Sequence, residues 1–341
     1  MSLERVTVGS SIAYVFGWIC YYAITTKYIK MSWETASVLL FGLYVLSNIC
    51  QTLYPFMMCK LGLTNPLVPK KCSFGYYGCE NDTEWAIITG CTNGLGKSLT
   101  FKLASRGYNL LLIARNEALL TELIKDVESY GKIKAIGIIH DFNNTSSEMI
   151  IKFSNILINQ IADKRIGLLV NNVGIANDIT NEFCNYRVEE DYQLIDVNLK
   201  SMILMTQLVL PLMVNRQSGM VINVSSGSAY QASPYISTYG ATKAFMRHFS
   251  NSLAKEYEKY GIKFYVCLPL FFLSNIVKEK QSILIPHSDE ISDGILNHCT
   301  LVNESCPYLP HLIQHIAINC NWIPNLSFKF LNGLYKKRNN I

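Results

Sequence analysis

Around position 90 an apolar strand runs directly into a turn holding three glycines, and the turn runs into an amphipathic helix. Gly90, Gly94 and Gly96 follow a strand over 85–89 in a T-G-x-x-x-G-x-G spacing, and the helix over 95–106 begins inside the turn. Glycine lets a backbone turn sharply and approach a pyrophosphate, whose charge is met by the amino end of a helix. Gly90, Thr92, Asn93, Gly94, Leu95 and Gly96 are therefore the candidate cofactor-binding turn.

The chain then keeps alternating. Apolar patterning predicts strands at 109–114, 134–140, 167–170, 220–224 and 263–268, the last of them final. It predicts helices at 117–130, 146–161, 192–214 and from about 238 onward. This alternation implies an α/β fold, a doubly wound and mostly parallel sheet with right-handed crossovers. The end of the second strand selects the cofactor. A site for NAD carries an acid there to bond the ribose 2′-hydroxyl. Here Ala114 is followed by Arg115, whose guanidinium suits a 2′-phosphate, so the expected cofactor is NADP(H).

The stretch VINVSSGSAYQASPYISTYGATKAFMR, residues 221–247, carries the candidate chemistry. Tyr239 and Lys243 are four residues apart and share one face of a helix. Ser226 stands thirteen residues before the tyrosine, at the mouth of a strand, with Ser225 beside it as a competing hydroxyl. Phenol, ammonium and hydroxyl would meet at the carboxyl end of the sheet, where open α/β folds bind ligands. A phenol of pKa about 10 is a poor acid or base near neutrality until a nearby cation favours its phenolate.

Composition limits the partners. Of 341 residues only 16% are charged, and the mean hydropathy is +0.18, which points to membrane contact. The net charge of +5 is modest and no basic stripe with interleaved aromatics occurs, so nucleic acid is not an expected partner. Eleven cysteines without a C-x-x-C pair fit reduced thiols facing the cytosol, and no metal site is proposed. Two uncharged apolar runs, 6–26 and 35–59, hold 21 and 25 residues. Each could cross a hydrocarbon core, which needs roughly 20 residues as a helix. The second contains Asn48, Gln51 and Pro55, so a re-entrant or interfacial course is open to it. Lys60, Lys70 and Lys71 favour a cytosolic catalytic domain.

Taken together, these motifs resemble the short-chain dehydrogenase/reductase family over about 84–274. The resemblance rests on T-G-C-T-N-G-L-G, Asp141 after the third strand, N-N-V-G at 171–174, Asn198 in D-V-N-L-K-S, Ser226, and Tyr239 with Lys243. The wording is similar to the membrane-bound 17β-hydroxysteroid dehydrogenase and very-long-chain 3-oxoacyl-CoA reductase group. A neighbouring hydroxysteroid dehydrogenase-like branch is similar too; its mammalian members carry phenylalanine for the tyrosine that this chain keeps. The resemblance implies that Tyr239 delivers a proton to the substrate carbonyl oxygen and that Lys243 lowers its pKa and holds the nicotinamide ribose. It implies that Ser226 bonds the carbonyl and Asn198 anchors a water relay. Asp141 would meet the adenine amino group, Asn171 and Gly174 would line the cofactor cleft, and Ser274 would stand near the carboxamide.

By the same resemblance the expected activity is NADPH-dependent reduction of a lipophilic ketone, a 3-oxoacyl-CoA or a steroid. The alternative is a catalytically silent NADP(H)-binding scaffold in a lipid-enzyme complex. The expected setting is the endoplasmic reticulum membrane, with a homodimer or an elongase-type complex as the assembly. The expected organisation is an anchor over 1–60, a linker over 61–83, a catalytic domain over 84–275 and a substrate-side extension over 276–341. In that extension 281–289 reads as a polar loop over the substrate cleft, with helices at 293–301 and 309–322.

Overall fold

The computed structural model describes residues 33–63, 67, 83–129, 133–143, 146–177, 180–274, 280–319, 332–333 and 335–336. The chain divides into two compact units, Met1–Thr64 and Asn65–Ile341. In the first, α1 (Trp33–Lys60) is one continuous helix of 28 residues with Pro55 inside it. The apolar run at 35–59 is thus a single helix without a re-entrant break; the run at 6–26 lies outside the described residues. At 1.5 Å per residue α1 spans roughly 40 Å. Val38, Phe41, Tyr44, Leu46 and Met57 stand exposed along it.

The second unit is built on seven parallel strands in the order β3-β2-β1-β4-β5-β6-β7. They are β1 (Trp85–Thr89), β2 (Asn109–Ala114), β3 (Ala135–Ile139), β4 (Ile166–Asn171), β5 (Gly219–Val224), β6 (Ile262–Cys267) and β7 (Glu304–Ser305). Side chains alternate between the sheet's two faces, so two cores form. Ala86, Ile88, Leu110 and Leu112 pack with α2 (Gly94–Ser105), α3 (Glu117–Ser129) and α8 (Ser288–His298). Trp85, Ile87, Leu111 and Ile113 pack on the opposite face with α4 (Ser147–Ile161), α6 (Ser201–Arg216) and α7 (Ser237–Tyr257). Each fully buried aliphatic side chain contributes about 2 kcal/mol. The chain reverses direction across the sheet between β1 and β4, which is the topological switch point where such folds hold ligands.

Several expectations need correction. The helix expected at 192–214 is three pieces: α5 (Val188–Ile195), a π-helical turn Asp196–Lys200, and α6. The apolar stretch Val188–Arg216 is long enough to cross a membrane, yet half of its most apolar window is buried, with Met205, Val209 and Met213 in the core. It belongs to the core of the second unit. The helix expected at 293–301 begins earlier, at Ser288, because His287 and Glu290 form a capping box. That places Asp289 against the Ser98 hydroxyl and Asp293 2.6 Å from the Lys102 amine, both on α2. The expected loop at 281–289 is correspondingly short, closed by Ser282 and Ile285 in a two-residue bridge. α9 (Leu309–Asn319) answers the helix expected at 309–322, whose last three residues lie outside the described ones. The two residues of β7 are too few to show a period, so β6 was not the last strand.

Candidate active site

The glycine turn is shaped by backbone conformation at Gly90 and Gly94 and by close contacts at Gly90 and Gly96. Gly90 and Gly94 have φ of +65° and +50°, in the left-handed region that favours glycine. A Cβ on Gly96 would collide with the Gly90 carbonyl oxygen. Asn93 caps α2 from extended backbone without a side-chain bond, and the first turn of the helix holds no acid. Its amide groups therefore face the turn without a competing carboxylate, an arrangement suited to a pyrophosphate. Thr92 and Leu95 lie in the same turn, Thr92 half-buried and Leu95 buried.

The turn is locked from below by Asn172, which the sequence reading passed over in favour of its neighbour. The Asn172 side-chain amide donates to the Thr89 and Gly90 carbonyls, both at 3.0 Å. The Thr89 hydroxyl in turn accepts the backbone N–H groups of Asn172 and Val173 at 3.1 Å. Asn171 is placed differently. Its side chain points into the interior, donating to the Thr206 hydroxyl at 3.2 Å and to Asn223 at 2.8 Å. The doublet N-N was legible; which member faces the turn follows from the alternation of side chains at the end of β4. Gly174 sits where a Cβ would lie 3.2 Å from Asn198 Oδ1 and 3.4 Å from Lys243 Nζ.

Arg115 is exposed at the end of β2, and Asp141 is exposed beyond β3, where its carboxylate accepts the Asn143 N–H at 3.0 Å. Ser274 comes to the turn as well, its Cβ 3.4 Å from the position a Cβ on Gly94 would take.

The catalytic candidates converge at the carboxyl end of β5. The Ser226 hydroxyl meets the Tyr239 phenol and accepts the Ser228 N–H at 3.2 Å. Ser225 is engaged elsewhere, its buried hydroxyl donating to the Lys243 carbonyl at 2.8 Å. The Lys243 amine lies 5.7 Å from the Tyr239 ring centroid and donates to the Val224 carbonyl at 3.1 Å. Burial brings Lys243 down to about 8. Burial also raises the Tyr239 phenol, which the Ser226 hydrogen bond partly opposes. The direction of this shift is opposite to the acidity expected from the neighbouring cation.

Asn198 is wholly buried in the π-helical turn. Its amide pairs with the backbone of Ile175 in both directions, at 2.8 and 3.0 Å, and donates to the Thr242 hydroxyl at 3.2 Å. A π turn bonds i to i+5 and interrupts the regular helical ladder, a feature common at functional sites. Asn198 thus ties the chain after β4 to the helix that carries Tyr239 and Lys243. Around the opening, Leu270 touches Gly227 and Phe271 is partly exposed. His311 accepts the Leu270 N–H at 3.2 Å through Nδ1, and its Nε2 lies 3.1 Å from the Leu284 carbonyl. Among the described residues no group of three or more His, Cys, Asp or Glu is placed to hold a metal ion.

A doubly wound parallel sheet with a glycine turn at its switch point, and a serine, tyrosine and lysine at the end of the fifth strand, defines a dinucleotide-dependent oxidoreductase fold. The family model for short chain dehydrogenase matches residues 84–283, and the chain belongs to that family. Very-long-chain 3-oxoacyl-CoA reductase-B of Danio rerio is 34% identical over 234 residues, 68% of this chain and 73% of the relative. Inactive hydroxysteroid dehydrogenase-like protein 1 of Homo sapiens is 32% identical over 238 residues, 68% of this chain and 70% of the relative. Among solved structures, a short-chain dehydrogenase from Sphingobium yanoikuyae in complex with NADPH superposes with a TM-score of 0.60 at 24% identity, covering 72% of this chain and 95% of that one.

Proposed function

We propose that this chain is a membrane-associated reductase that binds NADPH and reduces a lipophilic ketone, a 3-oxoacyl-CoA or a steroid ketone. The observation that carries the reading is the meeting of Tyr239 with Ser226, with the Lys243 amine 5.7 Å from the phenol ring. The cofactor, when bound, supplies hydride to the carbonyl carbon. Ser226 and Tyr239 direct two hydroxyls at the carbonyl oxygen, where charge develops. Tyr239 gives that oxygen its proton as general acid, and burial keeps the proton available until then. Lys243, with a pKa of about 8, steadies the phenolate that remains and can pass a proton back near neutral pH. Asn198 holds the far side of this group through Ile175 and Thr242.

NADPH is favoured over NADH by Arg115 at the end of β2, where no acid stands. Asp141 takes the adenine amino group, and Ser274 and Gly174 border the nicotinamide end. Leu270, Phe271 and Phe272 give the substrate side its apolar character. The exposed apolar side chains of α1 support a membrane anchor within 1–60. The same reading includes the linker over 61–83, the catalytic domain over 84–275, the extension over 276–341, an endoplasmic reticulum location facing the cytosol, and a second copy or an elongase-type complex as partner.

The test is NADPH oxidation by the full chain in detergent against a panel of 3-oxoacyl-CoAs and 17-ketosteroids. At least one should turn over, and Tyr239→Phe and Ser226→Ala should lower kcat by about 10²–10⁴ with the Kd for NADPH unchanged. NADPH binding without turnover of any ketone would favour the silent scaffold, the reading suggested by the inactive human relative.

A further inference from the structure

The turn that follows Ser226 is gripped by side chains from three other elements. Tyr230 closes the turn Gly227–Ala229, its N–H reaching the Gly227 carbonyl at 3.2 Å. The Arg247 guanidinium lies 4.3 Å from the Tyr230 ring centroid, and the His315 ring lies 3.7 Å from it. Arg247 is itself braced, giving two nitrogens to the two Glu304 carboxylate oxygens at 2.9 and 2.7 Å. Asn251 donates to the same carboxylate at 2.7 Å. Arg247 and Asn251 come from α7, Glu304 from β7 and His315 from α9.

Tyr239, Lys243, Arg247 and Asn251 recur every four residues along α7, so the catalytic pair and the grip share one stripe of one helix. A forked, two-bond arginine–carboxylate pair fixes the guanidinium plane, and a fixed plane over an aromatic face holds that ring by cation–π attraction. Burial keeps His315 down at about 4, so its ring stays neutral beside the guanidinium.

We propose that Arg247 is a positioning residue for the reduction. Braced by Glu304 and Asn251, it pins Tyr230 with His315, so that the turn carrying Ser226 and the helix carrying Tyr239 keep the two hydroxyls in register. The role rests on the proposed reduction, and it extends the working part of the chain to β7 and α9, beyond the residues that touch substrate.

The experiment compares wild type with Arg247→Met, Arg247→Lys and Tyr230→Leu in the full chain. Hydrogen exchange over 226–231 reads the grip without any substrate. Arg247→Met should speed exchange there while leaving β1, β2 and β4 unchanged. In turnover it should lower kcat about 10–100-fold, with KM and the Kd for NADPH within about twofold, and Arg247→Lys should recover part of the loss. In a Ser226→Ala background the further loss should shrink to about twofold or less, because the arginine acts through that serine. Unchanged exchange, or losses that multiply as if independent of Ser226, would overturn the proposal. If wild type reduces no ketone, the activity reading falls while hydrogen exchange still decides the grip. If Arg247→Met does not fold, Tyr230→Leu answers by the same measurements.

Discussion

The Lys243 amine donates to the carbonyl of Val224, the last residue of β5, across 3.1 Å. That bond fixes an ammonium group 5.7 Å from the Tyr239 ring centroid, at a site where burial opposes its charge. The folded pKa of about 8 lies below the ordinary lysine value of 10.5. Between these values the unfolded chain binds more protons than the folded one, so this residue's contribution to stability improves as pH rises from 8 to 10.5. Below pH 8 its full cost is present. Lys243→Met should therefore raise stability near pH 7, by at most about 3 kcal/mol, while abolishing turnover. Urea denaturation of both proteins from pH 7 to 10.5 checks it: the gap between them should narrow with pH.

The two asparagines after β4 should separate binding from stability. Asn172→Ala removes both bonds to the glycine turn, and at about 1 kcal/mol each the Kd for NADPH should rise about 30-fold. Asn171→Ala instead leaves Asn223 and Thr206 short of a partner in the interior. It should cost about 1–3 kcal/mol of stability and change the Kd much less. Fluorescence titration with NADPH and thermal melts read the two effects separately.

Arg115 should decide between the two dinucleotides. A charge-assisted pair to a 2′-phosphate contributes about 1.5–3 kcal/mol, so Arg115→Ala should weaken NADPH roughly 10–100-fold and leave NADH nearly unaffected. Arg115 is exposed, so the loss should be smaller in high salt. Equal weakening of both cofactors would remove the assignment.

Acid should loosen the carboxyl-terminal helices first. Burial holds His298 on α8 and His315 on α9 at about 4, against the ordinary histidine value of 6.5. Both groups favour the folded state above pH 6.5, and that contribution is lost as pH falls from 6.5 through 4. Hydrogen exchange at pH 7 and pH 5 should show protection falling sooner in 288–319 than in β1 and β4. His298→Asn should flatten the dependence.

The alternation of strands and helices, the glycine turn and the tyrosine–lysine pair were legible in the sequence because each depends on local geometry. A strand of five or six residues between turn residues, a glycine at positive φ, and two side chains one helical turn apart leave a periodic or positional mark. Arg115 at a strand end is of the same kind. The tertiary structure decided what local pattern does not encode. It turned Asn172 rather than Asn171 toward the glycines, engaged Ser225 so that Ser226 meets the phenol, and inserted a π turn at Asn198. It also brought Glu304 and His315 to Tyr230 across a long stretch of chain. Those outcomes depend on which groups are buried together, and burial also brings Lys243 down to about 8. A neighbouring charge can be counted along a helix, whereas the loss of solvent around Lys243 exists only once distant segments have packed around it.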